Sequence, residues 1–199
     1  MPTLVLGSQS PARLATLRNA GVEPVVIVSG VDEDGLTGLA PAELAVRLAE
    51  LKCSAVAARD DLPPDALVLG CDSVLDLDGE ALGKPGTAED ATRRWQAMRG
   101  RTGVLVTGHC LTDTVTGRTT SAAASTTVQF GQVSDAEIAA YVATGEPLHV
   151  AGAFTIDGRG GAFIDGIVGD HHNVVGLSLP LLRGMLQELG HDWTALWNR

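Results

Sequence analysis

Three segments of the chain gather side chains that could handle phosphate. In GSQSPAR, Gly7 to Arg13, Ser10 followed by Pro11 is a strong helix start. The hydroxyl can accept from free amides, and proline tolerates the first helical position. The helix dipole makes that end partly positive and favours a carboxylate, so Arg13 carries the unfavourable sign. An anion in front of the helix would explain it; a solvated arginine on an exposed face is the plainer alternative. The second segment is the acidic turn Val31-Asp32-Glu33-Asp34, and the third is GCDSVLDLDGEALGKP, Gly70 to Pro85. Asp72 there follows an apolar run and is expected to emerge at the edge of a sheet, where a buried carboxylate needs a cation or a metal as partner. Lys84 precedes Pro85, which keeps the lysine backbone extended. Lys52, one residue past Leu51, is expected partly buried beside an apolar helix stripe. Taken singly, Asp72 could cap a turn and both lysines could be solvated charges. Together, a carboxylate pair and three cations point to phosphate chemistry with a divalent metal.

Other constellations carry less. His171-His172 could bind metal, but neighbours on a strand point to opposite faces. Gly152, Gly158, Gly160, Gly161 and Gly166 read as turn and packing glycines, because no strand–G-x-G-x-x-G–helix unit surrounds them. Val74-Leu75-Asp76-Leu77-Asp78-Gly79 resembles the D-x-D nucleophile loop of haloacid-dehalogenase-type phosphatases, in which one aspartate attacks phosphorus and the other donates a proton. Gly169-Asp170 echoes the acidic metal loop of that family, although Asn173-Val174 lacks its second acid. Asp78-Gly79 is an equally good hairpin turn.

These groups need a scaffold, and the hydrophobic pattern supplies one. Strand 3–7 leads to a helix over 11–20 that Gly21 ends, then to a strand over 24–29. A helix from Pro41 to Arg59 carries Leu44, Leu48, Leu51 and Ala55 on one stripe. Ala66 to Cys71 is continuously apolar, as in a central strand. Thr87 to Asp90 resembles a capping box opening a helix with Trp95 and Met98. Strands over 103–114 and 118–130 flank the turn Thr116-Gly117. Ser134-Asp135-Ala136-Glu137 is a capping box whose helix stops at Gly145. Short strands and tight turns are expected over 151–176, and a helix closes the chain over 178–189. The reading is a mixed α/β protein.

At 199 residues and 45% hydrophobic content, with no apolar run able to span a bilayer, the chain reads as a soluble globular protein of one ordinary domain, or at most two small ones. MPTLVLGSQS lacks a basic n-region and reads as a buried strand, so a cytoplasmic location is expected. Cys53, Cys71 and Cys110 fit buried reduced thiols better than disulfides or a zinc site. A net charge of −10 repels nucleic acids and anionic membranes, so neither is an expected partner.

The chain as a whole resembles the Maf family of nucleoside triphosphate pyrophosphatases. SQSPAR is similar to the family's S-x-S-P-R-R opening, VDED to its acidic turn, LAELK to its helix ending in lysine, and GCDSV with LGKP to its D-T/Q…KP core. YVATGEPLHVAGAFTIDG and NVVGLSLPLL resemble its C-terminal signatures. The resemblance spans nearly the whole chain and implies one domain over 1–199. It also implies a mixed central sheet flanked by helices, with two lobes around a cleft, similar to inosine triphosphate pyrophosphatases. The implied reaction converts a nucleoside triphosphate to monophosphate and pyrophosphate with a divalent cation such as magnesium or manganese. Carried over by position, Asp72 is the acid/base and shares the metal with Glu33. Lys52, Lys84 and Arg13 hold the triphosphate, with Ser8 and Ser10 at the helix N-terminus. Ala12, Ser73 and Asp157 depart from the family pattern, at positions that the resemblance implies tune base recognition. A homodimer is compatible with it. A nucleotide-binding regulator without turnover is a reading of a different class, since the family has been linked to septum formation. Retention of Asp72, Glu33, Lys52 and Lys84 together favours the enzyme.

Overall fold

The structure is a computed structural model that describes residues 2–32 and 35–198. Glu33 and Asp34 therefore lie outside the described residues. Strand β1 (Thr3–Leu6) leads to α1 (Pro11–Asn19), β2 (Val25–Val26), α2 (Pro41–Ala57), β3 (Ala66–Leu77) and β4 (Glu80–Leu82). Then come α3 (Ala88–Met98), β5 (Thr102–Asp113), β6 (Thr119–Phe130), α4 (Asp135–Ala143), β7 (Ile164–Val168), α5 (His171–Val175) and α6 (Leu179–Leu189). Among the described residues the strands form one sheet in the order β2-β1-β3-β5-β6-β7, with β4 also paired to β3. β1 runs parallel to β2 and β3, and the remaining pairings are antiparallel. This is the mixed α/β sheet flanked by helices that the pattern predicts.

β3 extends past the apolar run. It continues to Leu77, so Asp72 lies mid-strand and not at a strand end. The pairing of β3 corrects the rest of the expectation. β1 accompanies β3 only as far as Leu69, where the Gly7 amide donates to the Leu69 carbonyl at 2.8 Å, and β4 takes up the same edge at Leu75. Among the described residues, no strand pairs with 70–74 on that side. Asp72 reaches a free edge through a gap in pairing and not through the end of its strand. The gap separates two lobes. On one side Leu4, Leu6, Leu69, Leu177 and Leu186 pack together, and on the other Trp95, Phe130, Tyr141 and Phe154. Trp95 meets Phe130 and Tyr141 edge-on, with ring centres 5.8 and 5.6 Å apart.

α2 lies unusually close to the sheet. A Cβ at Gly70 would stand 2.2 Å from the Ala49 carbonyl oxygen, and one at Gly108 would stand 2.1 Å from that of Ala45. The buried face of α2 is accordingly Ala45, Leu48, Ala49, Lys52, Cys53 and Val56. Of the stripe expected from leucine spacing only Leu48 is fully buried; Leu44, Leu51 and Ala55 are half-buried. Small side chains face the sheet because the glycines admit the helix backbone, and leucines would hold it away. β2 is also shorter than expected, two exposed valines at the sheet edge. The box at Thr87 is half-made: its hydroxyl accepts from the Asp90 amide, while the Asp90 carboxylate turns to Arg93 and Arg94. Ser134 and Glu137 form the full box. Cys53, Cys71 and Cys110 are free and buried, and burial pushes the Cys71 thiol up to about 12.

Gly70→Ala should destabilise the protein by about 3 kcal/mol, because the atom it strikes is backbone. That corresponds to a fall of roughly 6–12 °C in Tm. Gly184→Ala is the control: nothing lies within 4 Å of that position on α6, and alanine is the better helix former. Calorimetry on both variants checks the pair.

Candidate active site

A cleft of about 1000 Å³ opens at the gap in pairing. Ser8 and Ser10 line it from the β1–α1 connection, Ala12 and Arg13 from α1, and Lys52 from α2. Asp72 and Ser73 line it from β3, Lys84 from the β4–α3 connection, and Asp157 from the loop before β7. The structure thus brings to one place every described residue that the Maf resemblance singles out. Glu33 is outside the described residues, and the flanking Val31 and Leu36 line the cleft.

Two clusters meet there from opposite faces of β3. On the α2 face, the Lys52 ammonium donates to Asp72 Oδ1 at 2.5 Å, and both residues are 8% exposed. A buried ion pair of this kind holds its geometry tightly, because separating the partners strands a desolvated charge. On the other face Arg13 is gripped by neutral oxygens. Its Nε donates to the Gly176 carbonyl at 2.7 Å, Nη1 to Ser8 Oγ at 3.1 Å and Nη2 to Ser73 Oγ at 3.0 Å. Gly176 is required there: its φ is +117°, and a Cβ would come within 3.3 Å of Arg13 Nε. Ser10 caps α1, accepting from the Arg13 amide. Lys84 is exposed, and its neighbour Gly83 is tied by its carbonyl, which accepts from Arg94 Nη1 at 2.6 Å and from the Gly152 amide at 3.1 Å.

Sequence reasoning missed the groups that hold these loops. Glu146 accepts from Thr155 Oγ1 at 2.6 Å, Tyr141 Oη at 3.0 Å, and the amides of Gly160 and Arg159 at 3.1 and 3.2 Å. Burial alone would raise its pKa, but these donors outweigh that and hold it below the usual carboxylate range. It shapes the loop carrying Thr155 and Asp157 to the cleft. His109 is wholly buried on β5; its Nε2 accepts from the Ser178 amide at 2.9 Å, and Ser178 caps α6. Asn173, also buried, donates from Nδ2 to the Leu105 carbonyl and to Thr126 Oγ1, both at 3.1 Å. Glu146 and Asn173 lie within the C-terminal stretches quoted above for their resemblance, and His109 is a polar residue within a largely buried strand.

The rival phosphatase motif dissolves. Asp76 Oδ1 accepts from the Gly79 amide at 2.7 Å, and Asp78 pairs with Arg101. Asp78 and Gly79 have φ of +56° and +87°, which makes them the β3–β4 hairpin turn, and neither aspartate lines the cleft. His171 and His172 open the helix α5 and do not lie on a strand. Among the described residues no group of three or more His, Cys, Asp and Glu side chains is placed to hold a metal. No helix of the described residues is long and apolar enough to cross a membrane.

The sequence pattern of the Maf-like protein family matches residues 3–189. The chain belongs to that family. Among Maf-like relatives, a protein of Streptomyces coelicolor named nucleoside triphosphate pyrophosphatase is 66% identical over 194 residues, covering 98% of this chain and 94% of its own. Its namesake in Salinispora tropica is 58% identical over 98% of this chain and 88% of its own. The one in Thermosynechococcus vestitus is 51% identical over the full length of both. Among solved structures, the Staphylococcus aureus Ham1 protein matches with a TM-score of 0.44 at 17% identity, over 65% of this chain and 72% of its own.

His109 gives this Maf-like protein a pH dependence. Burial lowers its pKa from 6.5 to about 4. Protonation would also turn Nε2 into a donor facing the Ser178 amide. The unfolded chain therefore binds more protons between these values, so stability is full above about 6.5 and falls as the pH drops toward 4. At about 1.4 kcal/mol per unit the loss approaches roughly 3 kcal/mol. Urea midpoints measured from pH 7.5 to 4.5 should show the decline, and His109→Gln should flatten it.

Proposed function

We propose that the protein hydrolyses nucleoside triphosphates to the monophosphate and pyrophosphate in the cleft around Asp72. The names of its relatives support the reaction. The observation that carries the reading is a buried Lys52–Asp72 pair at an unpaired strand edge, facing Arg13 and Lys84 across one cleft. Lys52 fixes the Asp72 carboxylate, which can take a proton from an attacking water. As the water oxygen bonds to the α-phosphorus, the bridging oxygen leaves with pyrophosphate. Arg13, Lys84, and the hydroxyls of Ser8 and Ser10 at the N-terminus of α1 would receive the phosphate oxygens.

The chemistry also suits a divalent cation. Lys52 engages Oδ1 of Asp72, which leaves its second oxygen as a hard ligand, and Glu33 belongs to the same assignment. Such a cation would neutralise charge on the phosphates. Ala12, Ser73 and Asp157 are assigned to the base end of the cleft, where the Asp157 carboxylate offers acceptors to bases bearing amino groups.

The test is a panel of nucleoside triphosphates with magnesium or manganese, with pyrophosphate and phosphate measured separately. Pyrophosphate should be the product, and Asp72→Asn should lower turnover by about 10²- to 10⁴-fold with the fold intact by circular dichroism. Arg13→Ala and Lys84→Ala should each cost about ten- to a hundredfold in kcat/KM. Wild-type turnover in Asp72→Asn, or inorganic phosphate as the product, would refute the assignment.

A further inference from the structure

Behind Arg13 lies a row of hydroxyls that leads out of the cleft. Ser73 and Thr107 stand directly opposite each other on β3 and β5, with their oxygens 2.9 Å apart. Thr107 Oγ1 lies 3.1 Å from the main-chain carbonyl of Asn173 on α5, and Thr107 is wholly buried. The direction of every proton in this row follows from what each group can do. A carbonyl only accepts, so Thr107 gives Asn173 its single hydroxyl proton. Thr107 must then accept from Ser73, whose own proton is thereby used. Arg13 has no lone pair to offer, so Nη2 donates to Ser73.

We propose that Thr107 and the Asn173 carbonyl are positioning groups for Arg13, and that they make Ser73 a fixed acceptor. With its proton committed to Thr107, Ser73 cannot rotate its hydroxyl to face Arg13 with hydrogen. The guanidinium is therefore held at Nη2 by Ser73, at Nη1 by Ser8 and at Nε by Gly176. Of its five N–H groups this leaves two for a ligand, in a fixed direction. Ser8 has the opposite polarity. It accepts from both the Ser10 amide and Arg13 Nη1, so its own proton is the part left to give. Ser8 can thus donate to an anion, whereas Ser73 can only accept from an N–H or O–H of the ligand. The Asn173 side chain secures the far end of the row through its bonds to β5 and β6. The inference rests on the reading that Arg13 touches the substrate.

The experiment compares wild type with Thr107→Val, which keeps the shape but ends the row, and Thr107→Ser, which restores the hydroxyl. KM for the best nucleoside triphosphate should rise about five- to tenfold in Thr107→Val with kcat within about twofold, the size of one hydrogen bond lost. Thr107→Ser should return KM to near wild type. In an Arg13→Ala background Thr107→Val should add less than about twofold, because the residue it positions is gone. An undiminished effect in that background would make Thr107 a packing residue only and overturn the proposal. A second arm uses no turnover. The Arg13 Nε–H, bonded to Gly176, should exchange slowly with solvent by NMR in the ligand-free wild type and in Thr107→Ser, and faster in Thr107→Val. Equal exchange in all three would also overturn it. This arm decides the positioning role even if the protein releases no pyrophosphate, a result that would refute the proposed reaction instead.

Discussion

The contact on which the site depends is that of α2 against the sheet at Gly70 and Gly108. These two glycines let the helix backbone come within reach of β3 and β5, so the first side chains between the layers are Ala45, Ala49 and Cys53. Lys52 lies on that same buried face, one residue before Cys53, and at this separation its ammonium reaches Asp72 on β3. A helix held off the sheet by leucines at these positions would leave the lysine short of the carboxylate or tilt it to solvent. Buried charges are tolerated only in pairs with fixed geometry, and the glycines fix that geometry. Gly70 and Asp72 share one face of β3, so the helix contact and the carboxylate come from the same strand periodicity.

A second constraint, the handover of the β3 edge from β1 to β4, explains why both faces of the sheet serve one cleft. Inside a continuous sheet, Asp72 and Ser73 would be separated by a full layer of paired strands. Where the edge of β3 is bare from 70 to 74, the α2 face and the α1 face open into the same space. The Lys52–Asp72 pair arrives from one and the Arg13 cluster from the other. The lobes on either side are tied separately, by leucines near α6 and by the aromatic group around Trp95. Trp95 also donates to the Ala153 carbonyl at 2.7 Å, which anchors the loop carrying Thr155 to the second lobe.

Much of this was legible in the sequence, and the limits have physical reasons. The strand and helix order, the caps at Ser10 and Ser134, and the hairpin at Asp78-Gly79 are local, so spacing and turn chemistry reveal them. β3 beyond Cys71 was not legible, because Asp72 and Ser73 look like the end of an apolar run when their partners are unseen. The buried stripe of α2 departs from the leucine spacing because that spacing marks a helix face only when nothing lets small residues approach more closely. α5 is too short for a period to register. The roles of Glu146, Thr107, His109 and Asn173 rest on partners up to 69 residues away, as in the bond from the Ser178 amide to His109. Motif resemblance groups the candidate site residues; composition and periodicity alone leave each of them with an ordinary alternative.

The arginine at the start of α1 is explained by what its neighbours lack. Other arginines of the chain meet carboxylates: Arg18 meets Glu23, Arg47 Glu50, Arg59 Asp61, Arg99 Asp135 and Arg101 Asp78. Their charge is matched within the protein, as expected in a chain of net charge −10. The described partners of Arg13 are two hydroxyls and a carbonyl, which orient the guanidinium without neutralising it. Carboxylates in those places would bind Arg13 more tightly and cancel the field that a phosphate would feel. Neutral acceptors hold the geometry and leave the charge, so an acidic protein keeps a positive point where its cleft opens.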